Sequence, residues 1–174
     1  SGTGTSVSCN TTVHPIYQCT GYRLPTYVEW EYAARAGSPK YFWTPNGGAE
    51  WDGISSYMTD DGFDYREYAW FHENNSPWGT KEVGQLLPND NGLYDMSGNV
   101  SELNHDWIDF NQIGSGVEVD LVHEPGIDHY WGYEAIRGGS FTNDITYLTV
   151  NRYSSTGNRN TRSASRGFRV CRTN

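Results

Sequence analysis

"GLYDMSGNVSELNHDW", Gly92 to Trp107, is the stretch on which the fold turns. It has neither the strict alternation of a half-buried strand nor the three-to-four repeat of an amphipathic helix. Two glycines, two asparagines and a scatter of acidic and hydroxyl side chains lie between a Leu-Tyr pair and a tryptophan. Chain of that composition folds around something rather than into a regular element.

Working outward, the same irregularity extends upstream. Residues 38–91 are rich in Gly, Pro, Asn, Asp and Trp, the composition of long loops broken by short strands. One helix is well marked. In "RLPTYVEWEYAARAG", Thr26 is placed to cap, Glu29 three residues later completes a capping box, and Gly37 supplies a left-handed stop. Trp30, Ala33 and Ala34 would then share its buried face. Downstream, "YEAIRGGSF" and "RGFRV" are candidate strands, each beside a glycine. The coarse reading is α+β with an unusual share of irregular backbone, in one domain spanning 1–174. Loops of such length need a functional reason or an added fastening.

Bulk properties narrow the class. The 174 residues suffice for one core, and the formal charge of −9, with only Lys40 and Lys81 as lysines, argues against nucleic acid as a partner. Aromatic content of 15% is far above that of a solvated tail. No apolar run approaches the roughly 20 residues that span a bilayer. The opening "SGTGTSVSCN" reads as an exposed or processed end. Cys9 and Cys19 flank a short polar loop, and a disulfide there would stabilise by roughly 2–3 kcal/mol. The alternative is a pair of thiols in a reducing cytosol. The disulfide is the expectation, with a secreted, periplasmic or cell-surface location, and Cys171 is left over.

Four segments taken together carry a resemblance. "GYRLPTYVEWEYAARAG", "VGQLLPNDNGLYDMSGNVSEL", "IRGGSF" and "RGFRV" occur in the order found in the formylglycine-generating-enzyme, or sulfatase-modifying-factor, family. The match runs from about Gly21 to Val170. The resemblance implies a variant of the C-type-lectin-like fold, loop-rich and usually calcium-bound. It also implies that the family's N-terminal part is lacking, either because it is cleaved away, because the chain is a fragment, or because another chain supplies it as a partner.

Carried over by position, the resemblance assigns a structural calcium ion to the carbonyls of Ser97, Gly98 and Val100 and the side chain of Glu102. The chemistry suits it, since calcium takes six to eight oxygens in an irregular cage. "TDDGFDY" resembles the family's other calcium loop through Asp61 and Phe63, but an expected upstream asparagine is missing and no site is assigned there. The family's usual tryptophans in this motif are Ser101 and Leu103 here.

Catalysis is the next question. Aligning "RGGSF" puts the copper-binding cysteines of formylglycine-generating enzymes at Asn143 and Leu148, neither of which offers the soft sulfur that copper(I) prefers. A related non-haem-iron branch needs three histidines, and His14, His72, His105, His123 and His129 show no tight ligand spacing. Arg137, Arg152 and Arg169 read as structural ties to carboxylates. No catalytic residue is assigned.

Binding is the favoured expectation. The chain resembles the variable proteins of diversity-generating retroelements, in which asparagine codons between the "RGGS" and "GFR" segments are randomised at adenines. Such codons cannot encode Lys, Glu, Gln, Met or Trp, and Thr142 to Arg166 contains none of the five. Thr142, Asn143, Asp144, Tyr147, Tyr153 and Asn160 are the candidate contacts, a mixture suited to adaptable surfaces. The expected function is a non-catalytic ligand-binding or display module for a protein or other surface ligand. The alternative is an enzyme of the same superfamily with a different chemistry.

Overall fold

A computed structural model describes residues 21–50, 57–108, 133–156 and 162–173. The one α-helix among the described residues, α1, spans Tyr27–Arg35, and it forms where its capping residues dictate. The Glu29 N–H donates to Thr26 Oγ1 at 3.2 Å and the Thr26 N–H to Glu29 Oε2 at 2.8 Å, so two of the orphan donors of the first turn are satisfied reciprocally. Glu29 is held further by both terminal nitrogens of Arg23, at 2.6 and 2.7 Å. At the other end Ala36, rather than Gly37 alone, takes the left-handed conformation. Trp30 and Ala34 are buried as the sequence predicts, and Ala33 packs against their cluster from a partly buried position.

Strands are short with one exception. β1 (Gly21–Arg23) and β6 (Cys171–Thr173) form a two-stranded antiparallel ribbon. The larger sheet has the order β4-β3-β2-β5, where β2 is Ser101–Ile108, β3 Tyr133–Arg137, β4 Tyr153–Thr156 and β5 Arg166–Phe168. β2 pairs antiparallel with β3 and parallel with β5, and β3 pairs antiparallel with β4. β3 and β5 are the strands expected at "YEAIR" and "RGF". β2 corrects the sequence reading, because the back half of the Gly92–Trp107 stretch lies in the longest of the described strands. Its register shifts between Leu103 and Trp107, and this bulge is why its sequence does not alternate.

The helix docks on that strand: the Tyr27 N–H donates to Asp106 Oδ2 at 2.5 Å, and the His105 N–H to the Pro25 carbonyl at 2.9 Å. Two apolar clusters fill the interior. One gathers Phe42, Trp43, Tyr65, Tyr68, Phe71, Ile145 and Leu148 from loops and 3-10 turns. The other joins Trp30 and Ala34 of α1 to Met96 and Val150. Between them the buried Tyr65 hydroxyl donates to Ser97 Oγ at 2.9 Å, and Ser97 Oγ donates to the Leu148 carbonyl at 3.1 Å. Burial pushes the Tyr65 phenol up to about 12, with the Ser97 bond pulling the other way. Aromatic side chains from loops thus replace the helix and sheet faces that pack most domains.

Candidate binding site

At the end of β3 the chain turns through Gly138 and Gly139, both with positive φ. A side chain at Gly139 would meet the Tyr147 carbonyl and the Leu148 side chain, so only glycine lets the two segments approach. The following turn is tied internally. Asn143 Oδ1 accepts from the Ser140 N–H and hydroxyl, each at 2.9 Å, and Ser140 Oγ lies 2.8 Å from Thr142 Oγ1. Asp144 then caps the 3-10 turn Ile145–Tyr147 by accepting from the Thr146 N–H at 2.9 Å. Ile145, Leu148 and Val150 point into the two cores.

This anchoring sorts the candidate residues. Thr142, Asp144 and Tyr147 are exposed, and Tyr147 carries the Arg152 guanidinium 4.0 Å above its ring centre. Asn143 lines the cleft, but its amide oxygen serves the turn. The Tyr153 backbone opens β4 opposite Arg137. Asn160, Cys9 and Cys19 lie outside the described residues, as do His14, His123 and His129. Leu148 is fully buried, so that position does not face the cleft at all.

Thr142 and Tyr147 border an open cleft of about 190 Å³. Its walls come from the β3 end, the 140–147 turn, Arg152 and Ser154 of the β4 approach, and Ser165 and Arg166 at β5. Ser101, where the resemblance expects tryptophan, stands at its floor. A small side chain there leaves room that an indole would occupy. Among the described residues no thiol, imidazole or carboxylate lines it. Sequence reasoning missed Ser101, Ser154, Ser165 and Arg166, because strand pairing rather than any motif brings them together. Arg152 also differs from expectation, since it makes no ion pair with a carboxylate among the described residues. Arg137 is structural, as expected: it is buried, pairs with Glu31 at 2.6 Å and donates to the Val150 carbonyl. Burial pulls its guanidinium below the ordinary value, against the opposing effect of Glu31.

The segment assigned to calcium is organised differently. Asn99 has φ of 56°, and Gly98 sits so close to Trp70 that a Cβ would run into the Trp70 carbonyl. Glu102 is buried, and both its oxygens have donors. Arg169 donates through Nε to Oε2 at 2.5 Å and through Nη2 to Oε1 at 2.6 Å, and Trp30 Nε1 donates to Oε2 at 2.5 Å. Arg169 Nη2 also reaches the Tyr94 and Asp95 carbonyls, each at 3.2 Å. As placed, these groups fit an internal guanidinium rather than calcium at Glu102. No cluster of three His, Cys, Asp or Glu side chains suited to a metal occurs among the described residues. Asp61 accepts from the hydroxyls of Thr44 and Thr59.

A loop-rich α+β domain of the C-type-lectin-like kind, with its cleft beside the β3–β4 edge, defines the class. The family model for the sulfatase-modifying factor enzyme 1-like domain matches residues 4–174, and the chain belongs to that family. It is 33% identical over 144 residues to the formylglycine-generating enzyme of Streptomyces coelicolor, covering 76% of this chain and 40% of that protein. It is 40% identical over 89 residues to the chaperone protein LppX of Paenibacillus barcinonensis, covering 50% and 32%. Among solved structures, Treponema denticola variable protein 1 superposes with a TM-score of 0.70 at 30% identity, covering 90% of this chain and 49% of that one. PvdO of Pseudomonas aeruginosa gives 0.65 at 26% identity, covering 88% and 53%. The chain thus spans about half the length of these structures and less of the curated relatives. No helix among the described residues is long and apolar enough to cross a membrane.

Proposed function

We propose that the domain is a binding module whose contact surface is the cleft bordered by Thr142, Tyr147 and Arg152. The observation that carries this reading is the chemistry of the lining. Hydroxyls, an amide, a tyrosine, Arg152 and Arg166 supply hydrogen bonds and stacking, and no thiol, imidazole or carboxylate stands among the described lining residues. The positions aligned with the copper-binding cysteines support it, being Asn143, committed to its own turn, and Leu148, sealed in the core. The likeness to a variable protein fits a display role, with buried anchors at Ile145, Leu148 and Val150 leaving the residues between them open to change.

A random-peptide display library panned against the immobilised protein tests this. Enriched binders are expected for the wild type and lost on joint replacement of Thr142, Tyr147 and Arg152 by Ala. That variant should stay folded, because exposed substitutions typically cost within about ±0.5 kcal/mol each. An unfolded variant, or binders indifferent to the replacement, would sink the proposal. So would conversion of a cysteine-containing sulfatase peptide to the aldehyde by the wild type.

Two further expectations belong to the same reading. Extracytoplasmic location predicts a Cys9–Cys19 disulfide, which mass spectrometry of the non-reduced digest reads directly. Diversification of Thr142–Arg166 predicts a neighbouring template repeat in the genome that differs from this coding segment only at adenines.

A further inference from the structure

Charge is divided unevenly along the chain. Residues 137–174 carry seven arginines and one acidic residue, Asp144, a balance of +6. Residues 1–136 carry five basic and twenty acidic residues, a balance of −15. A split of that size in a protein of net −9 points to a local partner of opposite sign. Arg137 pairs with Glu31 and Arg169 with Glu102. Arg137, Arg152 and Arg166 line the cleft, and no carboxylate stands among its described lining residues.

Arg152 is the informative one. Its guanidinium carbon lies over the Tyr147 ring, 4.0 Å from the ring centre. A stacked, planar fork is pre-organised for bidentate contact with a carboxylate. Around it the hydroxyls of Ser154 and Ser165 add neutral donors. The cleft's volume of about 190 Å³ is smaller than the roughly 300–1,000 Å³ of sites that engulf a whole small ligand. It suits one or two side chains reaching in from a larger surface.

We infer that the cleft takes the carboxylate side chain of an acidic segment on a protein partner, with Arg152 as its principal contact. The inference rests on the binding reading above and specifies its ligand class.

Fluorescence anisotropy with a labelled Glu-Gly repeat peptide tests it on the full chain, alongside the Gln-Gly counterpart and an oligouronate. The Glu peptide should bind about tenfold or more tightly than the Gln peptide, and added salt should weaken it. Arg152→Gln should reduce binding about tenfold. Arg172→Gln removes the same charge from β6, away from the cleft, and should leave affinity within about twofold. Competition by free glutarate would show that the side-chain carboxylate is the recognised unit. Equal loss in both variants would reduce the effect to diffuse charge and overturn the inference, as would preference for the oligouronate or failure of all three probes. Equal binding of Glu and Gln peptides at an Arg152-dependent site would overturn the acidic ligand while leaving the binding reading intact. Library panning that yields no binders would remove both.

Discussion

Arg169 is the residue on which the loop architecture depends most visibly. It ties β5's exit to Glu102 on β2 and to the 94–95 carbonyls, so one guanidinium does what a divalent ion does in other irregular domains. Removing it leaves Glu102 buried, with the Trp30 indole still donating to it. Arg169→Ala should therefore cost about 3 kcal/mol, the scale for breaking one side of a buried pair. Glu102→Gln, which keeps a hydrogen-bonding oxygen, should cost less. Urea denaturation in calcium and in chelator decides between fastenings. The expected midpoint is the same in both for the wild type, whereas stabilisation by calcium that disappears in Glu102→Gln would assign the ion after all. Sequence similarity leads to calcium at this position because a carboxylate and consecutive carbonyls are ligands for either cation. Only the fold brings Arg169, 67 residues away, to Glu102.

At the scale of elements, α1 was the most legible part of the chain because its signals are local. Thr26 and Glu29 lie one turn apart, and the reciprocal bonds form between them whatever the rest of the protein does. Thr26→Ala should cost about 1 kcal/mol in denaturant titration. Glu29 adds a pH dependence. Burial raises its pKa, but the Arg23 and Thr26 bonds outweigh that and hold it below 4.5 in the folded protein. The unfolded chain then takes up the proton first as pH falls, so this contribution is complete above about pH 5 and is lost through the folded value. Glu29→Gln should show a shallower loss of stability than the wild type between about pH 5 and 3. β2 was illegible for the converse reason. Its pairing partners are β3, after a 24-residue interval, and β5, near the chain's end, and its bulge breaks the period that would mark it. The cleft lining suffers likewise: Ser101, Ser154 and Ser165 are ordinary serines until three strands align them. Thr142, Tyr147 and the turn around Asn143 were readable, since they follow directly from a glycine-marked strand end.

On the scale of the whole molecule, stability rests on loops wrapped around aromatic side chains, and the binding segment contributes to that packing through spaced apolar residues. Ile145, Leu148 and Val150 are buried while Thr142, Tyr147 and Arg152 are exposed. The same segment can therefore vary outside without loosening inside. The β1–β6 ribbon has a different consequence. Gly21 lies opposite Thr173 and Arg23 opposite Cys171, so the polypeptide enters and leaves the described domain side by side. Tension applied to those two points loads the pairs one after another, like a zip, instead of shearing them together. In an optical trap the ribbon should part first and at low force, with the four-stranded sheet yielding in a separate, later step. A single rupture of the whole domain would show that the ribbon is mechanically continuous with the core. Adjacent entry and exit also make the domain a natural plug-in: spliced into a surface loop of a host protein, it would hang from one point.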